Sequence, residues 1–344
     1  MRDLRYCGVN EHYWYVAARS DEVKERPMRV VVWKQAIALY RDPNNQVHAV
    51  EDRCLYRQVP LSLGKVVDNQ LECAYHGWRF NTEGSCCHIP YLLEKQNLPT
   101  AKLLSYPVIE QDGFIWLFLA GESAREPDLI PLKLPEWDDL NHIATVSIID
   151  CQAHFSFLIE NLMDMYHGHL HQTYQPWASA KLQNIERQNA QLDVDYEAQS
   201  YYKIDKIWSI SQLFFPSLRR LHPETLRVSY IYPHWLCHLG QDFTIYCLVC
   251  PIHERATRAY LVHFTSLHAF KRLHRLPVWF RKWIKDRLFG SAQKLLDGLV
   301  GQDVLMIEQE QQAFESARQT SAYEFNPAIS QVQAIIKQQS NFHK

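Results

Sequence analysis

The sequence predicts an α+β protein, with an all-β amino-terminal domain ahead of a domain built from antiparallel sheet and helices. Three observations carry this expectation. Short aromatic and β-branched runs separated by polar turns fill residues 1 to about 120. A stretch rich in proline and acid follows. Past it, β-rich sequence from about 178 to 268 lies between a helical segment near 154–171 and a last long helix near the carboxyl end. The bounds read as a β domain over 1–124, a linker over 125–140 and a second domain over 141–344, in keeping with a chain of 344 residues.

Composition narrows the function classes. Hydrophobic residues make up 47% and charged residues 22%, which permits a large core, and a net charge of −2 removes the electrostatic case for nucleic acid as a main partner. No apolar run reaches the roughly 18 residues of a transmembrane segment. The start, Met1-Arg2-Asp3-Leu4-Arg5-Tyr6, lacks the apolar core of a signal peptide, so a cytoplasmic protein is expected. Nine cysteines, an odd number scattered along the chain, argue for reduced thiols, some of them metal ligands, over a disulfide framework.

Taken in order, the strands expected in the first domain are Tyr13–Ala17, Arg29–Trp33 and Ala36–Tyr40, then Gln46–Val50 after the Asp42-Pro43-Asn44-Asn45 turn, and finally Gly113–Leu119. Strands so short and close make a small sandwich or barrel. Inside this region Cys54-Leu55-Tyr56-Arg57 precedes Pro60-Leu61-Ser62-Leu63-Gly64, and Cys73-Ala74-Tyr75-His76-Gly77-Trp78-Arg79-Phe80 follows. Two loops that each offer a cysteine and a second ligand two or three residues on can close over a two-iron, two-sulfide cluster from opposite sides.

After the linker, the strand Ile143–Asp150 opens the second domain and a helix spanning His154–His171 is expected behind it. At about 3.6 residues per turn, Asp164, His167 and His171 share one side of that helix while His169 points away. Two imidazoles plus one carboxylate suit a ferrous ion and leave positions open for oxygen and substrate. Further strands are expected at Leu226–Tyr232, Phe243–Cys250 and Arg258–Phe264. Cys247 and Cys250, three apart in a strand, face opposite ways, which argues against a metal role. The basic, aromatic stretch from Lys271 to Phe289 reads either as a solvated helix face or as a surface for an anionic membrane or an acidic partner.

The two cysteine loops resemble those of the Rieske non-haem iron oxygenases, whose pattern is Cys-x-His and, about sixteen residues on, Cys-x-x-His. The Pro60–Gly64 and Tyr75–Phe80 segments share the likeness, which extends over nearly the whole chain. Tyr56 departs from it, standing where the family pattern has histidine. A phenol, with a pKa near 10, must lose a proton to become a good ligand, and as phenolate it favours ferric iron. Three outcomes are open: a cluster bound through Tyr56 or water, one rescued by Cys86, Cys87 or His88, or no stable cluster. Similar oxygenases also carry an Asn-x-x-Asp-x-x-His run, matched by Asn161, Asp164 and His167. Their second histidine falls where Gln172 stands, so His171 takes the role, with His169 as the alternative. Asp303 and Glu308 resemble the family's carboxyl-terminal Asp-x-x-x-x-Glu pattern and make Asp303 the third iron ligand, with Asp297 as the fallback.

The resemblance implies a helix-grip-like second domain and insertion of oxygen from O2 into a small organic substrate, aromatic or polycyclic, with monooxygenation preferred. It implies a [2Fe-2S] cluster at Cys54, Tyr56, Cys73 and His76, and Fe(II) at His167, His171 and Asp303. Asp164, beside Asn161, would hydrogen-bond His167 and link it to His76 of the partner subunit in a head-to-tail homotrimer. No flavin or nicotinamide fingerprint is present, so electrons would come from a separate ferredoxin or reductase. Two alternatives stand beside this reading: a catalytically silent relative that binds a ligand or joins mixed rings, and a lipid or pigment oxygenase docked on a membrane surface by residues 271–289.

Overall fold

The computed structural model describes residues 4–120, 130–174, 177–200, 222–239, 243–267, 275–316 and 323–340. The chain divides into two units, residues 10–134 and residues 1–9 together with 135–344. Residues 4–9 thus leave the amino-terminal β unit. Arg5 explains why: its guanidinium makes a paired contact with the Glu160 carboxylate, Nη2 to Oε2 at 2.8 Å, and lies 3.6 Å from the centre of the Phe157 ring.

The β unit contains three small antiparallel sheets. Strand β1 (Trp14–Arg19) pairs with β10 (Phe114–Phe118), which pairs with β9 (Val108–Gln111). Strands β2 (Met28–Val32), β3 (Gln35–Arg41) and β4 (Val47–Glu51) form the second sheet. The third runs β5 (Lys65–Val67), β6 (Gln70–Glu72), β7 (Arg79–Phe80) and β8 (Cys86–His88). The apolar strand runs bury as their composition demands, and all five residues of β10 are inside. Cys54 and Cys73 sit in one core cluster with Tyr40, Leu61, Leu71 and Phe80, where each large apolar side chain contributes about 1.5–3 kcal/mol by leaving water.

The second unit is a seven-stranded antiparallel sheet. Its order is β11 (His142–Cys151), β17 (Ala256–Ser266), β16 (Phe243–His253), β15 (His234–Leu239), β14 (His222–Ile231), β13 (Gln191–Ser200) and β12 (Trp177–Gln188). Register is pinned at one edge by Asp150 opposite Arg258, joined at 2.7 Å. Tyr196, Tyr230 and Tyr260 fill the interior with Phe155, Phe157 and Phe264. Helix α1 (Phe155–Met163) packs on β14 to β16, α2 (Val278–Ser316) on β11, and α3 (Pro327–Ser340) on β13. This is the sheet held by helices that the sequence calls for.

One helix over His154–His171 is not what forms. Helix α1 ends at Met163, and a 3-10 segment spans Met165–Tyr174. Asp164 is the cause: its backbone turns extended at ψ 92° while its Oδ1 accepts the Tyr166 amide at 3.1 Å. A local Asx turn of this kind competes with the helical ladder. The stretch 271–289 is described only from residue 275, so Lys271, Arg272 and His274 lie outside the described residues. Among the described residues no helix is long and apolar enough to cross a membrane.

Candidate metal centre

His167 and His171 come from the 3-10 segment and Asp303 from α2, and their ligand atoms all lie within 4.8 Å of one another. The two rings stand 5.5 Å apart at 86°, and His171 Nε2 is 3.6 Å from Asp303 Oδ1. Spacing four brings the histidines together through 3-10 turns, although the shared α-helical face expected of them is absent. His169 is exposed, as is Asp297, so neither alternative joins the group.

The second ring nitrogens explain which atoms face inward. His167 Nδ1 lies against the backbone oxygen of Asp164, and His171 Nδ1 is 3.1 Å from Gln302 Oε1. An oxygen that can only accept fixes the proton on Nδ1 and leaves the Nε2 lone pair for a metal. The Asp164 carboxylate was expected to bond His167; its carbonyl does so instead. The carboxylate Oδ1 accepts from Asn326 Nδ2 at 2.9 Å. Asn326 is fully buried, gives its other amide contact to the Tyr196 hydroxyl at 3.0 Å, and caps α3 by accepting the Ala328 amide at 3.1 Å.

Burial pushes the Asp303 carboxyl above the ordinary carboxylate range, opposed by His167, His171 and a hydrogen bond from Asn161. Among the described residues Asp303 Oδ1 is buried with no hydrogen-bond partner. A buried carboxylate oxygen left without a donor, facing two imidazole lone pairs, is a donor set that fits a ferrous ion. Trp177 backs the group, its Nε1 donating to Met165 O at 2.8 Å. Gly168 permits this contact, because a Cβ there would sit 2.4 Å from Trp177 Nε1.

In the β unit the two cysteine loops are built alike. Cys54 N donates to Val59 O and Gln58 N to Cys54 O, at 2.9 and 3.0 Å; Cys73 N donates to Trp78 O and Gly77 N to Cys73 O, at 2.8 and 3.0 Å. Gln58 and Gly77, at matching places, both take positive φ, 61° and 71°. The Cys54 thiol is pushed up to about 11 by burial and by its hydrogen-bonded neighbour Cys73. Two desolvated thiols in contact suit an iron that replaces their protons. The His76 and Tyr56 rings lie 4.9 Å apart, Tyr56 stacks on Trp78 at 5.2 Å, and the Arg57 guanidinium lies 4.9 Å from the centre of the Tyr56 ring. Cys54, Cys73 and His76 fit a Rieske cluster; the phenol of Tyr56 does not match the imidazole that the pattern requires. Cys86 and Cys87 direct their thiols at the backbone oxygens of His88 and Ser85.

Two cysteine loops in a β unit, one of them with an imidazole, together with a two-histidine, one-carboxylate group in a helix-held sheet domain, are the donor sets of a mononuclear iron oxygenase with an iron–sulfur domain. Comparison with known proteins agrees. The Rieske [2Fe-2S] domain profile matches residues 13–106. The chain is 34% identical over 340 residues, 97% of its length and 89% of the relative's, to the 4beta-methylsterol monooxygenase of Methylococcus capsulatus. It is 32% identical over 181 residues to the oxygenase component of dicamba O-demethylase from Stenotrophomonas maltophilia, covering 52% of this chain and 48% of that one. A crystal structure of dicamba monooxygenase bound to dicamba superposes with a TM-score of 0.75 at 19% identity, covering 97% of this chain and 98% of the other.

The chain belongs to the Rieske non-haem iron oxygenases. It inserts oxygen from O2 into a small organic molecule at a mononuclear iron, with electrons supplied by a separate donor through the Rieske domain. The silent-relative reading is not favoured.

Proposed function

We propose that this protein hydroxylates a methyl group on a hydrophobic polycyclic molecule of sterol type. The observation that carries the reading is the histidine and aspartate group in a chain 34% identical, over 97% of its length, to a 4beta-methylsterol monooxygenase. Two further relatives are named as O-demethylases, which also act on methyl carbon. His167, His171 and Asp303 would hold the ferrous ion, which would supply oxygen activation. In the overall reaction one methyl C–H becomes C–OH, the other oxygen atom leaves as water, and two electrons and two protons are taken up.

The chain's own residues do the positioning. Asn161 donates to Asp303 from α1, holding the carboxylate toward the histidines. Asp164, fixed through one oxygen by Asn326, keeps the other for His76 of the partner subunit in a cytoplasmic homotrimer. Cys54, Cys73 and His76 would hold the cluster, with the Tyr56 ring 4.9 Å from that of His76. The test is turnover of a 4-methylated sterol with a ferredoxin and reductase under 18O2. One labelled oxygen in a hydroxymethyl product is expected; a hydroxymethyl product without label, or no oxidation of the methyl group, would refute the reading.

A second reading concerns how a lipid substrate reaches the site. Val278, Trp279 and Trp283 at the start of α2 are 47%, 71% and 52% exposed, favouring contact with a membrane surface. Salt-sensitive flotation with anionic liposomes is expected, and its absence would end this second reading.

A further inference from the structure

The iron ligands reach their places by two routes. His167 is fixed by its own loop, through the Asp164 carbonyl, whereas His171 depends on a residue far along the chain. That residue is Gln302, immediately before Asp303. Helix α2 therefore delivers a ligand and the ligand's support from adjacent positions. Its register is clamped one and two turns further on: Glu308 Oε1 accepts the Gln152 amide at 2.9 Å and Gln311 Oε1 accepts the His154 amide at 3.0 Å. Both acceptors meet the backbone that leads into α1, the helix that ends at the histidine loop.

We propose that Gln302 is a positioning residue for the iron site, fixing the tautomer and ring orientation of His171. This rests on the reading that His167, His171 and Asp303 hold iron. His171 is 6% exposed, and among the described residues Nδ1 meets the Gln302 amide oxygen and no other hydrogen-bond partner. With the oxygen toward it, Nδ1 carries the proton and Nε2 faces Asp303 Oδ1 with its lone pair. A donor in the same place would reverse the tautomer and aim an N–H at the carboxylate. His171 and Asp303 would then satisfy each other without a metal.

Outer supports of metal-bound histidines are worth about 10- to 100-fold in metal affinity. Gln302 is exposed on its outer side, so water can replace part of what it supplies, and the effect belongs at the lower end of that range. Because the position is exposed and helical, Leu, Glu and Lys are all tolerated by the fold.

The experiment uses the full chain with its mononuclear site emptied by a chelator. Ferrous ion is titrated anaerobically by calorimetry, and the EPR signal of the nitric oxide adduct reports the ligand set. Gln302→Glu, which keeps the acceptor, is expected to bind iron at least as tightly as the wild type with the same signal. Gln302→Leu is expected to bind about tenfold more weakly. Gln302→Lys, which offers only donors, is expected to bind more weakly still and to change the signal, and the loss in the uncharged Gln302→Leu separates removal of the acceptor from charge repulsion. Equal affinity and identical signals across the series would overturn the proposal. A wild-type chain that binds no ferrous ion would overturn the reading of the site itself, so the two failures are distinguishable.

Discussion

At the scale of single residues, two side chains carry most of the chemistry that departs from the ordinary. His263 on β17 is pushed down to about 4 by burial, against the pull of Asp297. An unfolded histidine titrates near 6.5, so between about pH 6.5 and 4 the unfolded chain binds a proton that the native one refuses. Native stability is therefore full above that window and falls as pH drops through it, by about 3 kcal/mol at most. Urea unfolding across this range should show the loss, and His263→Leu should flatten it; an unchanged acid limb would contradict the assignment. Tyr56 is the other. Imidazole ligation raises the potential of a Rieske centre, so Tyr56→His is expected to raise the midpoint potential and sharpen the reduced EPR signal. A redox titration giving the same potential for both forms would show that position 56 does not face the cluster.

At the scale of elements, α1 is held by charge as well as by apolar packing. Arg5 and Glu160 are a buried pair, with side chains each 10% exposed. Arg5→Met is expected to cost about 3–5 kcal/mol by leaving Glu160 buried without its partner, while the double change Arg5→Met with Glu160→Leu recovers most of it. Denaturant midpoints of the single and double variants check this, and equal losses in both would contradict it. Local pattern made the cysteine loops and the longer apolar strands legible, β1 to β4, β10, β11, β14, β16 and β17, because they are written in runs of neighbouring residues. The two- to four-residue strands β5 to β9 and the more polar β12 and β13 carry no such run, and β15 went unread with them. The end of α1 was not legible either, because Asp164 stops the helix by a side-chain turn that a 3.6-residue periodicity does not register. The 3-10 turns still bring His167 and His171, at spacing four, beside Asp303. Gln302 and Asn326 escaped sequence reasoning for a different reason. They meet His171 and Asp164 from 131 and 162 residues away, and an amide beside a helical carboxylate or ahead of Pro327 carries no signal of its own.

At the scale of the whole molecule, three distant segments meet at one point: the loop after α1, the middle of α2 and the residue that caps α3. The sheet brings them there, with α2 packed on β11, α3 on β13 and α1 across the central strands. The resemblance names His167, His171 and Asp303 from separate motifs; the fold supplies their convergence. The most direct measurement is iron and acid-labile sulfide in anaerobically reconstituted wild type, His169→Ala and His171→Ala. Wild type and His169→Ala are expected to hold about three irons per chain, two of them in the sulfide cluster, and His171→Ala about two with its sulfide unchanged. Retention of the third iron by His171→Ala would contradict the assignment of the centre to His167, His171 and Asp303.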